Sequence, residues 1–176
     1  MTGVQTGVDR LGEVFTTAKA EDRAALIAYL PAGYPTVKGS LGLLTQTLDA
    51  GADLVEVGLP YSDPVLDGPV IQHAVDAALK AGVRVRDTLA VVEQLAARGG
   101  RAVVMTYWNP VLRYGVDAFA RDLASAGGLG VITPDLVPDE GAGWLEAAGR
   151  EGLAPIFLVA PSSTDERIAA TTAATR

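Results

Sequence analysis

Two acidic side chains in one short segment have the types and the spacing to do acid–base chemistry. The segment VEVGLPYSDPVLDGP, residues 55–69, places Glu56 in an apolar strand and Asp67 in the loop that follows. Because side chains alternate along a strand, Glu56 lies on the same face as Leu54. Partial burial raises the pKa of a carboxyl group, and a raised pKa suits a general acid or base near neutral pH. Two carboxylates in different surroundings therefore form a candidate acid–base pair.

The same acids also have a purely structural interpretation. Glu56 would then pair with a buried Lys or Arg, and Asp63 and Asp67 would be turn residues, since SDP and DGP are common turn sequences. Structural ion pairs perturb carboxyl groups as well. The spacing alone therefore leaves both interpretations open.

The elements that must position these acids alternate along the chain. The apolar runs predict five strands, at 24–32, 53–60, 101–107, 129–136 and 154–161. The segments between them predict helices at 36–51, 69–81, 86–98, 116–126 and 139–151, and a further helix that follows the last strand. Thr36, Asp87 and either Ser163 or Thr164 are the expected caps. Repeated strand–helix units with β-branched strands predict a parallel α/β protein.

Two α/β architectures compete, an open doubly wound sheet and a (β/α)8 barrel. No GxGxxG follows the first strand, and GGLG at 127–130 precedes a strand instead of leaving one, which argues against a dinucleotide-binding fold. Polar and Pro-rich residues follow nearly every strand, as in barrel enzymes. A barrel needs eight strands and roughly 250 residues, whereas the 176-residue chain shows five strands. We therefore expect either a smaller fold or an incomplete barrel.

Composition argues against several classes of function. The chain of 176 residues is 49% hydrophobic, which predicts a single domain with a real core. Its net charge of -7 argues against binding to nucleic acid or to an anionic membrane. With no Cys and one His, thiolate chemistry and a multi-histidine metal site are excluded. No apolar run of membrane-spanning length and no signal peptide is present, so we expect a cytoplasmic protein.

Four longer motifs add a resemblance to a known family. LIAYLPAGYPT, GADLVEVGLPYSDPVLDGPVIQ, VVMTYWNPVLRYGVDAFA and GVITPDLVPDE follow one another in the order found in the tryptophan synthase alpha subunit family. The resemblance covers about residues 11–176, and the E-x-G-x-P-[FY]-S-D-P-x-x-D-G-P pattern is highly specific. It implies a TIM barrel, of which this chain has about the first five βα units. It also implies a lyase of tryptophan biosynthesis, which cleaves indole-3-glycerol phosphate to indole and glyceraldehyde 3-phosphate by a retro-aldol reaction.

The resemblance also assigns roles to individual residues. Glu56 would protonate C3 of the indole ring and help to deprotonate the hydroxyl whose carbon becomes the aldehyde. Asp67 would accept the indole N–H and stabilise the positive charge that develops on the ring. No metal or organic cofactor is implied. Other positions match residues at the substrate pocket, although core packing explains the apolar and aromatic ones equally well: Tyr29, Tyr107, Met105, Ile132 and Asp135.

A partner subunit is implied as well. Members of the family pass indole to a tryptophan synthase beta subunit in an alpha2-beta2 tetramer, and the partner alone holds pyridoxal phosphate. Pro60, Asp63, Asn109 and Pro110 match the partner-facing side, with Pro60 and Asp63 also shaping the loop. The family's phosphate-binding loops and lid follow later strands, which this sequence lacks. The alternative function is therefore a catalytically impaired fragment that acts only as a binding and activating partner of the beta subunit.

Overall fold

The computed structural model describes residues 5–175, which form five strands, eight α-helices and one 3-10 turn. The strands are β1 (Ile27–Pro31), β2 (Leu54–Gly58), β3 (Ala102–Met105), β4 (Gly130–Thr133) and β5 (Ala154–Phe157). The helices are α1 (Gly7–Ala20), α2 (Val37–Asp49), α3 (Pro69–Lys80), α4 (Val85–Ala96), α5 (Trp108–Tyr114), α6 (Val116–Ser125), α7 (Ala142–Glu151) and α8 (Asp165–Ala174), and the 3-10 turn is Pro138–Glu140.

The strands form one parallel sheet in chain order, β1-β2-β3-β4-β5. A doubly wound sheet reverses its strand order at a switch point, whereas a barrel adds each new strand beside the last one. The observed order is therefore that of the first five strands of a (β/α)8 barrel. This confirms the predicted fold class and decides against the doubly wound alternative.

The two faces of the sheet have different coverings. On the outer face, Val57, Val104 and Val131 belong to the main core, together with side chains of the surrounding helices such as Phe119 and Trp144. On the inner face, a second cluster joins Leu11 of α1 to Leu54, Val103, Leu129 and Ala154. Because the N–H of Val8 donates to the carbonyl of Gly152, just before β5, α1 lies at the amino ends of the strands. The carboxyl ends of the inner face remain open.

The sequence interpretation missed α1. Its start carries a capping box in which the Thr6 hydroxyl accepts the Asp9 N–H at 3.1 Å, and the Asp9 carboxylate accepts the Thr6 N–H at 2.9 Å. Leu11, Val14 and Ala18 follow at helical spacing and are buried. The signal was therefore present as T-x-x-D before an apolar stripe.

Other local predictions differ in detail. The strands are shorter than predicted, and α5 follows β3 directly, where Pro110 is tolerated because it lies in the first turn of the helix. Thr36 caps α2 as predicted, and Thr164 is the cap of α8. Asp87 is not the N-cap of α4. It is the third residue of that helix, and its carboxylate accepts the N–H of Arg84 at 2.8 Å.

Between residues 5 and 175, no helix is both long and apolar enough to cross a membrane.

Candidate active site

Glu56 points into the open mouth of the sheet from the middle of β2. Its strand neighbours in register are Tyr29 on β1 and Val103 on β3. The side chain is half-buried, and this burial raises the pKa of the Glu56 carboxyl group above its ordinary value. In the described part of the chain no Lys or Arg pairs with it. The ion-pair interpretation is therefore not what the structure shows.

Asp53, which directly precedes the same strand, has a charged partner. The guanidinium group of Arg23 binds its two carboxylate oxygens at 2.7 and 2.8 Å, and the Leu26 N–H donates to one of them at 2.8 Å. The hydrogen bonds from Arg23 hold the pKa of Asp53 at about 2. Asp53 therefore ties β1 to β2 at the closed end of the sheet, away from the mouth.

Asp67 reaches the mouth from the loop between β2 and α3, residues 59–68, which we call the acidic loop. The hydroxyl of Tyr107, at the end of β3, donates to Asp67 Oδ1 at 3.1 Å and accepts the N–H of Leu66 at 3.0 Å. The side-chain amide of Gln72 donates to the main-chain carbonyl of Asp67 at 2.7 Å. These contacts fold the acidic loop back over the end of the sheet.

Tyr29 links the two acids in space. A Cβ atom added to Gly58 would lie 2.3 Å from the Tyr29 hydroxyl oxygen, so the ring lies across β2 only because residue 58 has no side chain. Burial raises the pKa of Tyr29, and the charges of Asp67 and Glu56 raise it further. Tyr29 is in register with Glu56 on the neighbouring strand, and its hydroxyl stays protonated and able to donate a hydrogen bond.

Apolar side chains line the inner face beside the acids. Met105 is in register with Gly58 and with Ile132, and Ile132 is in register with Ile156 of β5. All three side chains are half-buried. Together they form a row of apolar side chains across the sheet, beginning beside the Tyr29 ring. Such an apolar surface suits the binding of a flat apolar ring of a ligand. Sequence reasoning missed Ile156. Strand β5 is a continuous apolar run, so only the two-residue period of a strand, which puts Ile156 on the same face as Ala154, could have found it.

Asp135 has a structural contact. Its carboxylate oxygens accept the backbone N–H of Trp108 at 2.9 and 3.0 Å, which caps the start of α5. The side chain is exposed beyond the end of β4. A direct contact between Asp135 and substrate stays a prediction.

The four residues expected to face a partner differ in exposure. Asp63 and Asn109 are exposed, and Pro110 is half-buried. Pro60 is buried, so its side chain offers no surface to a partner, while a loop-shaping role fits its position. Asn109 donates to the hydroxyl of Tyr61 at 3.3 Å and so joins α5 to the acidic loop.

A cleft of about 570 Å³ lies beside the acidic loop, at the carboxyl ends of β4 and β5. Leu66, Val137, Leu158 and Val159 are among the residues that line it. Within residues 5–175, no three acidic or histidine side chains are grouped so that they could hold a metal ion. The described residues bring two carboxyl groups and two phenols to the mouth, beside apolar side chains.

Comparisons with known proteins agree on one family. Residues 15–176 match the family described as tryptophan synthase alpha chain. The alpha chain from Mycobacterium marinum is 63% identical over 176 residues, covering 100% of this chain and 65% of that protein. The one from Mycobacterium tuberculosis H37Rv is 63% identical over 172 residues, covering 98% of this chain and 64% of that protein.

Solved structures show the same similarity. Tryptophan synthase from M. tuberculosis, in an open form with BRD0059 bound, superposes with a TM-score of 0.93 at 65% identity, covering 95% of this chain and 67% of that one. The alpha chain from Legionella pneumophila gives a TM-score of 0.89 at 32% identity, covering 97% and 64%. The chain spans about 65% of the length of the curated relatives it matches.

Proposed function

Because the chain belongs to the tryptophan synthase alpha chain family, we propose that it carries the catalytic acids of a carbon–carbon lyase. The substrate is indole-3-glycerol phosphate, and the products are indole and glyceraldehyde 3-phosphate. The observation that supports this most is the position of Glu56 and Asp67, which reach one open mouth from a strand and from the acidic loop. Glu56 is in register with Tyr29, and Asp67 accepts a hydrogen bond from Tyr107.

The reaction needs a proton donor, a base and an anion. A proton is added to C3 of the indole ring, which leaves positive charge on the ring nitrogen. The hydroxyl next to that carbon then loses its proton, the bond between C3 and the hydroxyl-bearing carbon breaks, and the electron pair restores the aromatic ring. One carboxyl group that first gives and then takes a proton serves both transfers. A second carboxylate beside the ring nitrogen stabilises the charge.

Glu56 suits the proton transfers. Its raised pKa means that it keeps a proton to higher pH than an ordinary glutamate, and it points into the mouth without a charged partner among the described residues. Asp67 suits the role of the second carboxylate, which stabilises the positive charge on the ring nitrogen, because its carboxylate is held by the Tyr107 hydroxyl. Tyr29, Met105 and Ile132 offer the apolar walls that an indole ring needs.

Partner and cofactor follow from the family. We infer that the chain docks on a tryptophan synthase beta subunit, that indole is the shared intermediate, and that pyridoxal phosphate belongs to the partner. The exposed side chains of Asp63 and Asn109 are the candidate contacts.

The exposed side chains of Asp63 and Asn109 favour a second candidate function as well. In that case the chain binds and activates the beta subunit and releases no indole itself. The surface that would serve this role, around Asp63 and Asn109, lies on the described part of the chain.

One experiment separates the two functions. Indole release from indole-3-glycerol phosphate is measured with the purified chain, with and without a beta subunit, and the partner's own reaction is measured in parallel. Glu56→Gln is the blank, and Glu93→Gln, on the exposed side of α4, is the matched control. We expect indole from the wild type and from Glu93→Gln only. Stimulation of the partner without indole would overturn the lyase proposal in favour of the activator.

A further inference from the structure

Tyr107 is a buried residue whose hydroxyl group forms hydrogen bonds to the acidic loop. Only 3% of its surface is exposed, yet its hydroxyl makes two hydrogen bonds to residues forty and forty-one positions away. It donates to Asp67 Oδ1 at 3.1 Å and accepts the Leu66 N–H at 3.0 Å. One oxygen atom therefore holds two successive residues of the acidic loop.

The Tyr107 ring and the backbone that follows it are held by neighbouring residues. The ring of Tyr61 packs on it at 5.4 Å between centroids, and the Tyr61 hydroxyl accepts a hydrogen bond from Asn109 at 3.3 Å. The next backbone N–H, of Trp108, is held by the Asp135 carboxylate at 2.9 Å. These contacts fix the position from which the Tyr107 hydroxyl reaches the acidic loop, just after β3.

Little else on the described part of the chain orients the Asp67 carboxylate. Gln72 bonds the main-chain carbonyl of Asp67 and not its side chain. The neighbouring side chains of Val65 and Leu66 are 73% and 59% exposed, so apolar burial does not hold the loop. Other contacts hold the first part of the loop, at Leu59 and Tyr61. Among the described residues, the side-chain hydrogen bonds that join Leu66 and Asp67 to the end of the sheet come from the Tyr107 hydroxyl.

We propose that Tyr107 is the positioning residue of the site, and that its hydroxyl holds the acidic loop so that the Asp67 carboxylate faces the mouth. This role is separate from lining the substrate pocket, which needs only the ring. Its link to turnover rests on the proposed function, because it acts through Asp67. Tyr107→Phe is the informative variant, since it keeps the buried ring and removes both hydrogen bonds.

The first test does not depend on activity. Backbone amide exchange is measured by NMR in the wild type and in Tyr107→Phe. We expect the Leu66 amide, which loses its acceptor, to exchange about tenfold faster or more, while amides of β2 and β3 keep their rates and show that the variant is folded.

The matched control is Tyr114→Phe. The Tyr114 hydroxyl also donates to an aspartate, Asp122, at 2.7 Å, but far from the acidic loop. This variant should leave Leu66 unchanged. An unchanged Leu66 rate in Tyr107→Phe, in a folded protein, would overturn the proposal.

The second test is a kinetic cycle with Asp67→Asn. In the wild-type background, Tyr107→Phe should lower kcat for indole release by about 10- to 100-fold, the usual effect of losing a hydrogen bond to a charged group, with KM nearly unchanged. In the Asp67→Asn background, Tyr107→Phe should lower kcat little further. An equal loss in both backgrounds would mean that Tyr107 does not act through Asp67. If the wild type releases no indole, the lyase proposal fails, while the exchange experiment still decides whether Tyr107 positions the loop.

Discussion

Glu56 lies in β2 and Asp53 directly precedes that strand, and the surroundings of the two acids give them different roles. Arg23 holds the pKa of Asp53 at about 2, so that carboxylate stays charged and ties two strands together. Burial alone raises the pKa of Glu56. A group without a charged partner, at an open mouth, is free to exchange a proton with a ligand, which is why we place the acid–base chemistry there.

The raised pKa of Glu56 gives a prediction for stability. Folded Glu56 binds its proton more tightly than the unfolded chain does, so its contribution to stability is complete below the ordinary pKa of 4.5 and is lost as pH rises through the folded pKa. Glu56→Gln resembles the protonated form at every pH. We therefore expect the Tm of Glu56→Gln, relative to wild type, to increase between pH 4 and pH 8.

Thermal unfolding monitored by circular dichroism would check this. Glu93→Gln, at an exposed site on α4, provides the control and should show no such trend. A Tm difference for Glu56→Gln that does not change with pH would contradict the assignment of a raised pKa to Glu56.

At the scale of elements, the packing of β1 on β2 shapes the mouth. The Tyr29 ring lies where a side chain at position 58 would be, with its hydroxyl 2.3 Å from the place of a Cβ atom. Gly58→Ala should displace the ring, cost about 1–3 kcal/mol of unfolding free energy as an overpacked site, and lower indole release.

Gly42→Ala is the matched control, since its Cβ would meet nothing within 4 Å on α2, and a helical Ala is more stable than Gly. Denaturant unfolding and the indole assay measure the two effects. Wild-type stability and activity in Gly58→Ala would show that Tyr29 does not need the space.

Helix α1 is the second element with a testable role, because it closes the amino ends of the inner face. Leu11 is 5% exposed and packs in the inner cluster, whereas Phe15 on the same helix is 49% exposed. Leu11→Ala should lower the free energy of unfolding by about 2–5 kcal/mol, and Phe15→Ala should change it little. The free energy of unfolding is measured with urea. An equally small loss in Leu11→Ala and Phe15→Ala would mean that α1 does not close the amino ends of the sheet.

Some of these elements and contacts could be predicted from the sequence, and others could not. The alternation of β2 correctly placed Leu54 and Glu56 on one face, because a strand has a fixed period of two, and the structure shows that this is the inner face. The first helix was missed although its T-x-x-D start is a recognised signal. The contact between Tyr107 and Asp67 could not be predicted from local pattern, since it joins residues forty positions apart through the pairing of β2 with β3.

At the scale of the whole molecule, the closing contacts and the chemical groups lie at opposite ends of the sheet. Leu11 and the Arg23–Asp53 pair secure the amino ends. Glu56 points into the mouth from the middle of β2, and Asp67 lies beyond the carboxyl end of that strand. This is the division seen in barrel enzymes, where loops at the carboxyl ends carry function. Substitutions at the closed end should therefore change stability more than turnover.

The central claim is that Glu56 and Asp67 act together in one cleavage reaction. The most direct test compares kcat/KM for indole release in Glu56→Gln, Asp67→Asn and the double variant, each first shown to be folded. We predict that each single change costs on the order of 10²–10⁴-fold, and that the double variant is little worse than the poorer single one, because the two groups serve the same step. Either single variant retaining wild-type kcat/KM would contradict the account.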